Sequence, residues 1–326
     1  MSFAYEAKQE VLKSKIEGDN ESIAFLSAVI KCAGVIGLVK GKKVLEIYTE
    51  VTNLFEKINL IIKQYYGKEC TLEVIEDTLS DKFTRYKITI PDDISNQILN
   101  DTGIMKYQDD ILQVNNGIDD YIIPDESCKI AYIKGAFIAC ATSNIVIKSY
   151  SNNLRASSGY HLEFVFTFDK LAEDFVKLLA DFDIKAKITV RKNNPLVYIK
   201  EYQLICDTLA LVEAVSSVLK LQNEAAIRDL RNNVNRQTNC INANLNKTVN
   251  ASVRQLNAIK VIQDTIGIES LDEGLYELCL VRLANPDESL DSLKNLYALP
   301  ISKSGLNHRL NKIISIAEKI KGSKIE

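Results

Sequence analysis

The sequence predicts an α+β domain built from two similar halves, followed by an all-helical domain that ends in a helix-turn-helix. Three observations carry this prediction. The order of helices and strands read over residues 20–102 recurs over 127–214, which implies a pseudo-twofold domain at about 1–215. Strand patterns stop near residue 215, and from 222 to 326 the apolar residues keep helical spacing. Near the C-terminus two short amphipathic segments flank Pro300, which cannot continue a helix. At 326 residues the chain is long enough for two domains, each with its own core.

The first half opens with an amphipathic helix from Phe3 to Lys15, ended near Gly18. Asp19-Asn-Glu-Ser22 is rich in capping residues and starts a second helix through Phe25 to Gly34. A strand (Lys43 to Glu50), a helix (Val51 to Tyr66) and two strands (Glu69 to Ile75, Phe83 to Ile90) follow. From Asp92 to Glu126 nine acidic residues stand against Lys106 alone. Catalytic carboxylates usually sit in apolar pockets that shift their pKa, whereas these lie among Asn, Gln and Gly. The stretch reads as a solvated acidic connector.

The second half repeats the order: a helix from Cys128 to Ala141, a strand at Asn144 to Tyr150, a polar loop, and a strand at Tyr160 to Phe166. A helix from Phe168 to Phe182, strands at Lys185 to Arg191 and Leu196 to Lys200, and a closing helix from Glu201 to Val212 complete it. The helices that open the halves both place small residues at helical spacing. Ala28, Ala33 and Gly34 can meet Gly135, Ala139 and Ala141 across a close helix–helix contact.

Beyond residue 222 the character changes. From Ala225 to Ile262 Asp229 is the only acid, while Arg228, Arg231, Arg236, Lys247, Arg254 and Lys260 are basic. An apolar stripe runs from Ile227 through Val234, Ile241 and Leu245 to Leu256. If the helix is continuous, Arg231 and Arg254 bracket a ladder of Asn235, Asn239, Asn242, Asn246 and Asn250. Each Asn costs a helix about 0.6 kcal/mol against Ala. Contact with phosphates and base edges is one reason for such a ladder; a merely solvated face is the other.

The last segment places Leu290, Leu293 and Tyr297 on one face of a short helix. Ser302 is a good N-cap for the next, where Leu306, Leu310, Ile313, Ile314 and Ala317 form the buried stripe. Ser304, Asn307, His308, Asn311 and Lys312 fall on a polar stripe. Two short helices, a tight turn and a polar start to the second are the parts of a helix-turn-helix, at about 288–320. An ordinary helical hairpin is the plain alternative, but the charge favours DNA: six basic residues from Ile301 to Lys324 against Glu318.

Composition narrows the function class. The chain is 46% hydrophobic and 25% charged with a net charge of −3, so any basic surface is local. No apolar run approaches the roughly 20 residues that span a bilayer, and no signal peptide is expected at the N-terminus. The seven cysteines contain no Cys-x-x-Cys and there are two His, which argues against disulfides, structural zinc or a metal site and for a reducing cytosol. No cofactor is expected.

The small-residue helices resemble the LAGLIDADG motif of homing endonucleases, in which an acidic residue ends each helix and binds the catalytic metal. Here the matching positions are Ala33 and Cys140. Neither supplies a hard oxygen ligand for Mg²⁺, so the resemblance implies the fold without its nuclease chemistry or any catalytic residue. Arg228 to Arg236, Asn239 to Thr248 and Ile301 to Leu310 resemble the signature blocks of the WhiA family, bacterial regulators of sporulation and cell division. That resemblance covers essentially the whole chain. It implies a degenerate LAGLIDADG-like domain joined to a helix-turn-helix similar to region 4 of sigma factors. It also implies a cytoplasmic, nucleoid-associated regulator of transcription, cell division or chromosome segregation that is not an enzyme. The partner it implies is double-stranded DNA, with RNA polymerase or its sigma factor as a further partner, and no membrane partner is expected. The competing reading is a protein-interaction module that acts on RNA polymerase or the division machinery. Lys303, Ser304, Asn307 and His308 are expected to approach base edges, since the first turns of a recognition helix do so. Arg309, Lys312, Arg228, Arg231, Arg236, Lys247 and Arg254 are expected to hold phosphates.

Overall fold

The computed structural model describes residues 2–39, 42–75, 84–108, 111–145 and 159–322. It divides into two compact units, Met1–Ala226 and Ile227–Glu326.

In the first unit, α1 (Phe3–Lys13) is capped by Ser2, whose Oγ accepts from the Tyr5 N–H at 3.3 Å. It is followed by α2 (Asp19–Ala33) and directly by a strand, β1 (Gly34–Val39). The sequence reading missed this strand. Val35, Ile36, Leu38 and Val39 continue the apolar run of the helix, and the period change falls where Gly34 leaves the helix with extended backbone, φ −83° and ψ 147°. Next come β2 (Lys42–Thr49), α3 (Leu54–Tyr66), β3 (Thr71–Ile75) and β4 (Arg85–Ile90). The four strands form one antiparallel sheet in the order β1-β2-β4-β3. Leu45 and Ile47 of β2 pair with Ile90 and Ile88 of β4, and all four are buried; Glu46, Tyr48, Lys87 and Thr89 take the other face.

The acidic stretch after Pro91 is folded, which corrects its reading as a solvated connector. It forms α4 (Asp92–Asp101) and a hairpin of β5 (Met105–Gln108) and β6 (Ile111–Val114). Ile94, Ile98 and Leu99 of α4, with Ile104, Met105 and Ile122, are buried in the main core. Their helical spacing was present in the sequence, but the charge count outweighed it. The acids on the surface have local tasks. Asp93 pairs with Lys68 at 2.5 Å, Asp119 pairs with Lys106, and Asp125 caps α5 by accepting from the Cys128 N–H at 2.9 Å.

The second half follows the same plan with α5 (Glu126–Cys140), β7 (Ala141–Ser143), β8 (Leu162–Val165), α6 (Asp169–Ala180), β9 (Lys187–Arg191), β10 (Asn194–Ile199) and α7 (Tyr202–Leu211). Its sheet has the order β7-β8-β10-β9, the counterpart of the first. The strand expected at Asn144 to Tyr150 and the loop after it lie, from residue 146, outside the described residues.

The two halves meet through α2 and α5. A Cβ placed on Gly135 would stand 2.5 Å from the Phe25 carbonyl oxygen and 2.9 Å from the Ala28 Cβ, so the helices touch backbone to backbone there. Such an approach needs small residues, and it buries α5 nearly all round, from Cys128 to Ile138. The buried Lys134 in that helix is neutralised by Glu213 at 2.9 Å.

A single helix, α8 (Val215–Gln263), runs through the boundary between the units. Its start is held by Glu10, whose carboxylate accepts from the Ser217 N–H at 3.0 Å and the Ser217 hydroxyl at 2.9 Å. In the second unit, the end of α8 packs with α9 (Glu273–Ala284), α10 (Leu290–Leu296) and α11 (Lys303–Gly322) around Ile259, Ile262, Leu278, Leu293, Leu306 and Leu310.

Candidate nucleic-acid interface

Helices α10 and α11 are the two arms of the helix-turn-helix. The Ser289 Oγ caps α10 by accepting from the Ser292 N–H at 3.2 Å, and the Ser302 Oγ caps α11 by accepting from the Gly305 N–H at 3.1 Å. Leu293 and Tyr297 of α10 and Leu306, Leu310, Ile313 and Ala317 of α11 are buried in one core. Burial on that side turns Lys303, Ser304, Asn307, His308, Asn311 and Lys312 outward, and all six are exposed. Gly305 has a local reason: a Cβ there would lie 2.9 Å from Ile301 Cγ1 and 3.3 Å from the Ser302 hydroxyl, so the turn itself fills the space.

The cations of this unit differ in their freedom. Lys303 Nζ lies 2.5 Å from Asp291, and Lys312 Nζ lies 3.1 Å from Asp272. Asp272 also caps α9 by accepting from the Leu275 N–H at 3.0 Å; the Lys312 contact, and after it this backbone bond, hold its carboxyl below the usual range. Both ion pairs are solvent-exposed and worth less than about 1 kcal/mol, so a phosphate can displace either acid at little cost. Arg309 is different. Its guanidinium lies 5.4 Å from the Tyr297 ring centre and donates to the Tyr297 hydroxyl, which donates to the Gly274 carbonyl at 2.8 Å. This chain of contacts ties α11 to the end of α10 and to α9, so Arg309 is engaged in packing within the unit. Gly274 leaves room for it, since a Cβ there would stand 2.8 Å from the Arg309 guanidinium.

Along α8, Arg231, Arg236, Lys247 and Arg254 are exposed and make no ion pair among the described residues; Arg228 is half-buried. Spacings of 11 and 7 put Arg236, Lys247 and Arg254 in one sector of the helix. The structure brings Lys303, Ser304, Asn307, His308 and Lys312 together on α11. The α8 cations form a separate, linear set.

Sequence reasoning missed one residue of this unit, Arg282. It is 1% exposed and donates to the Glu288 carbonyl at 2.7 Å, fixing the link into α10. An arginine at an apolar-periodic position of a helix (beside Leu278 and Cys279) was the available signal.

In the first unit the ends of α2 and α5 carry Ala33 and Cys140, with Cys32 and Lys8 beside them. Contact with Cys140, with burial, holds the Cys32 thiol well above its ordinary range, and burial lowers the Lys8 pKa. Among the described residues no group of three or more His, Cys, Asp or Glu could hold a metal ion. On the outer faces of the sheets Lys87 and Arg191 are ion-paired. Lys87 lies 2.6 Å from Glu73 and 3.7 Å from Glu46; Arg191 lies 3.2 Å from Glu163, which also contacts His161 at 3.1 Å.

Comparison with known proteins accounts for both units. Three family models match: the WhiA N-terminal LAGLIDADG-like domain at residues 19–105, the WhiA LAGLIDADG-like domain at 130–231, and the WhiA C-terminal HTH domain at 234–317. The "Probable cell division protein WhiA" of Clostridium beijerinckii is 38% identical over 325 residues, covering 99% of this chain and 100% of that one. Its namesake in Thermoanaerobacter sp. (strain X514) is 35% identical, with both chains covered completely. The crystal structure of full-length DUF199/WhiA from Thermatoga maritima, at 24% identity, covers 98% of this chain and 99% of that one with a TM-score of 0.55, a likeness of fold. A LAGLIDADG-like pair of halves, joined to a helix-turn-helix and matched along its whole length, places this chain in the WhiA family.

Proposed function

We infer that this protein binds duplex DNA through its helix-turn-helix and acts as a regulator linked to cell division, without cutting DNA. The observation that carries the reading is the exposed polar face at the start of α11, where Ser304, Asn307 and His308 stand clear of the core. Side chains of this kind on the first turns of a helix read base edges in the major groove. Lys303 and Lys312 flank that face and exchange their carboxylate partners for phosphates. Arg231, Arg236, Lys247 and Arg254 supply further phosphate contacts, and Arg228 joins them at the start of the segment. Arg309 contributes by holding α11 in place.

The relatives' name supports the link to cell division. Roles in transcription, chromosome segregation or sporulation, residence at the nucleoid, and contact with RNA polymerase or its sigma factor extend the same family likeness. The inactive-nuclease reading rests on Ala33 and Cys140 at the helix ends, where metal-activated hydrolysis requires oxygen ligands. The N-terminal region, about residues 1–215, then serves as a scaffold, and duplex binding belongs to about 222–326.

The test separates affinity from discrimination. Arg231→Ala weakens specific and random duplexes alike and lowers the salt slope by roughly one. Asn307→Ala weakens the preferred duplex by about 1–3 kcal/mol and leaves random duplex nearly unchanged. Equal losses on both duplexes for Asn307→Ala would remove sequence reading from α11. Sustained nicking of supercoiled plasmid in Mg²⁺ or Mn²⁺ by the purified chain would overturn the inactive-nuclease part.

A further inference from the structure

Residues 229–247 of α8 are exposed on every side, yet this stretch is not polar all round. Ile227, Leu230, Val234, Ile241, Leu245 and Val249 are between 42% and 66% exposed. With Thr238 they follow one spacing of 3, 4, 4, 3, 4 and 4 residues. Such an 11-residue period keeps a seam on one side of a helix over many turns. Farther along α8 the same sector reaches Ser252 and Ile259, which are buried in the second unit. The bare seam therefore continues a face that is already used for packing. A contiguous apolar strip of this length marks an interface.

The rest of the helix indicates what covers it. Beside the seam lie amides, Gln237 and Asn244 on one flank and Asn235, Asn242 and Asn246 on the other. Arg236 and Lys247 are on the back, away from the seam. Arg231 is the charge nearest the seam, and an antiparallel approach sets no like charge against it, while the flanking amides can bond across the contact. A partner helix with a heptad seam would drift out of register along it, whereas another α8 has the matching period.

Direction follows from the spacing. Measured from Thr238, the apolar residues stand at −11, −8, −4, +3, +7 and +11. In an antiparallel pair Ile227 meets the partner's Val249, Leu230 the partner's Leu245, and Val234 the partner's Ile241, each layer matched to within one residue. Thr238 meets the partner's Thr238 at the centre, where a polar layer fixes register. A parallel pair would instead set Arg231, which borders the seam, beside the partner's Arg231. The antiparallel pair moves those two charges about 21 Å apart.

We propose that α8 pairs antiparallel with α8 of a second copy of this chain, along the seam from Ile227 to Val249 and centred on Thr238. This makes the protein a twofold dimer that carries two helix-turn-helix modules. Contact along about 33 Å of helix buries on the order of 1,000 Å² in total, at the lower edge of specific interfaces. The dimer is therefore weak and concentration-dependent. The Asn ladder gains a reason as its uncharged margin.

Sedimentation of the full chain from 1 to 100 µM tests the pairing. A monomer–dimer equilibrium within that range is expected, and Leu245→Glu should weaken it at least tenfold. The exposed position of Leu245 leaves the monomer fold intact, which circular dichroism verifies. Arg236→Ala, on the back of the helix, should leave the equilibrium within twofold. Direction is read by thiol cross-linking in a Cys240→Ser background. Mixed L230C and L245C chains should join to each other, and neither should join efficiently to itself. A monomer at every concentration, a dimer that survives Leu245→Glu, or preferential L230C–L230C cross-linking would each overturn the proposal.

Discussion

Replacing Gly135 by Ala tests the contact on which the N-terminal unit is built. In an isolated helix this change stabilises by about 1 kcal/mol, because Ala has less backbone freedom to lose. Here the new Cβ would lie 2.5 Å from the Phe25 carbonyl oxygen and 2.9 Å from the Ala28 Cβ. Ordinary contacts of this kind exceed 3.4 Å, so α2 and α5 must separate by several tenths of an ångström. Neither neighbour is the end of a flexible side chain, and Phe25, Ala28 and Phe137 are all buried, so the strain spreads into the core. Overpacking of this kind costs about 1–3 kcal/mol. Two backbone-level contacts put this site at the upper end. Less the helix gain, the net loss is about 1–2 kcal/mol, which lowers Tm by roughly 2–8 °C in a unit of this size. Differential scanning calorimetry of the full chain should show the N-terminal transition lowered and the C-terminal one unmoved. A Gly135→Ala protein as stable as its parent would mean that the helices do not touch at this position.

Two further outcomes follow from the half-buried Lys31 and the buried Arg282. Burial lowers the Lys31 pKa from 10.5 to about 8, while its ammonium donates to the Asn115 carbonyl at 3.2 Å and to that of Gly117. Between pH 8 and 10.5 the unfolded chain binds this proton more tightly than the folded one, so the Lys31 contribution to stability rises with pH through that window and is constant below it. Comparing Tm against pH for the parent and Lys31→Met should give a less positive slope in the variant from pH 8 to 10.5; parallel curves would refute the assignment. Arg282→Met removes the donor that satisfies the Glu288 carbonyl and leaves that oxygen poorly paired. The loss should be about 1–3 kcal/mol, read as a lower C-terminal transition in the same calorimetric scan, and an unchanged transition would show that Arg282 does not anchor the link.

The sequence alone determined the local grammar. The cap at Ser302 marks the start of α11, because a side-chain oxygen there satisfies a backbone N–H group three residues on. The spacing of Leu306, Leu310, Ile313 and Ala317 similarly identifies the buried side of α11, and with it the outward set from Lys303 to Lys312. The repeated order of elements, and the absence of acids at Ala33 and Cys140, were also legible. Strand β1 was not, since a break from helix to strand inside an apolar run leaves no change in composition. Nor was the folding of residues 92–126, where charge is a surface property that says little about the buried Ile94, Ile98 and Leu99 beneath it. Only the tertiary structure decided which basic residues are free. Arg309 and Arg231 look alike in the sequence, yet one lies against Tyr297 and the other meets solvent. It also decided that the apolar stripe of α8 stands uncovered. Periodicity specifies that a face must be buried, but not what buries it, because the covering surface comes from residues distant in the chain or from another chain.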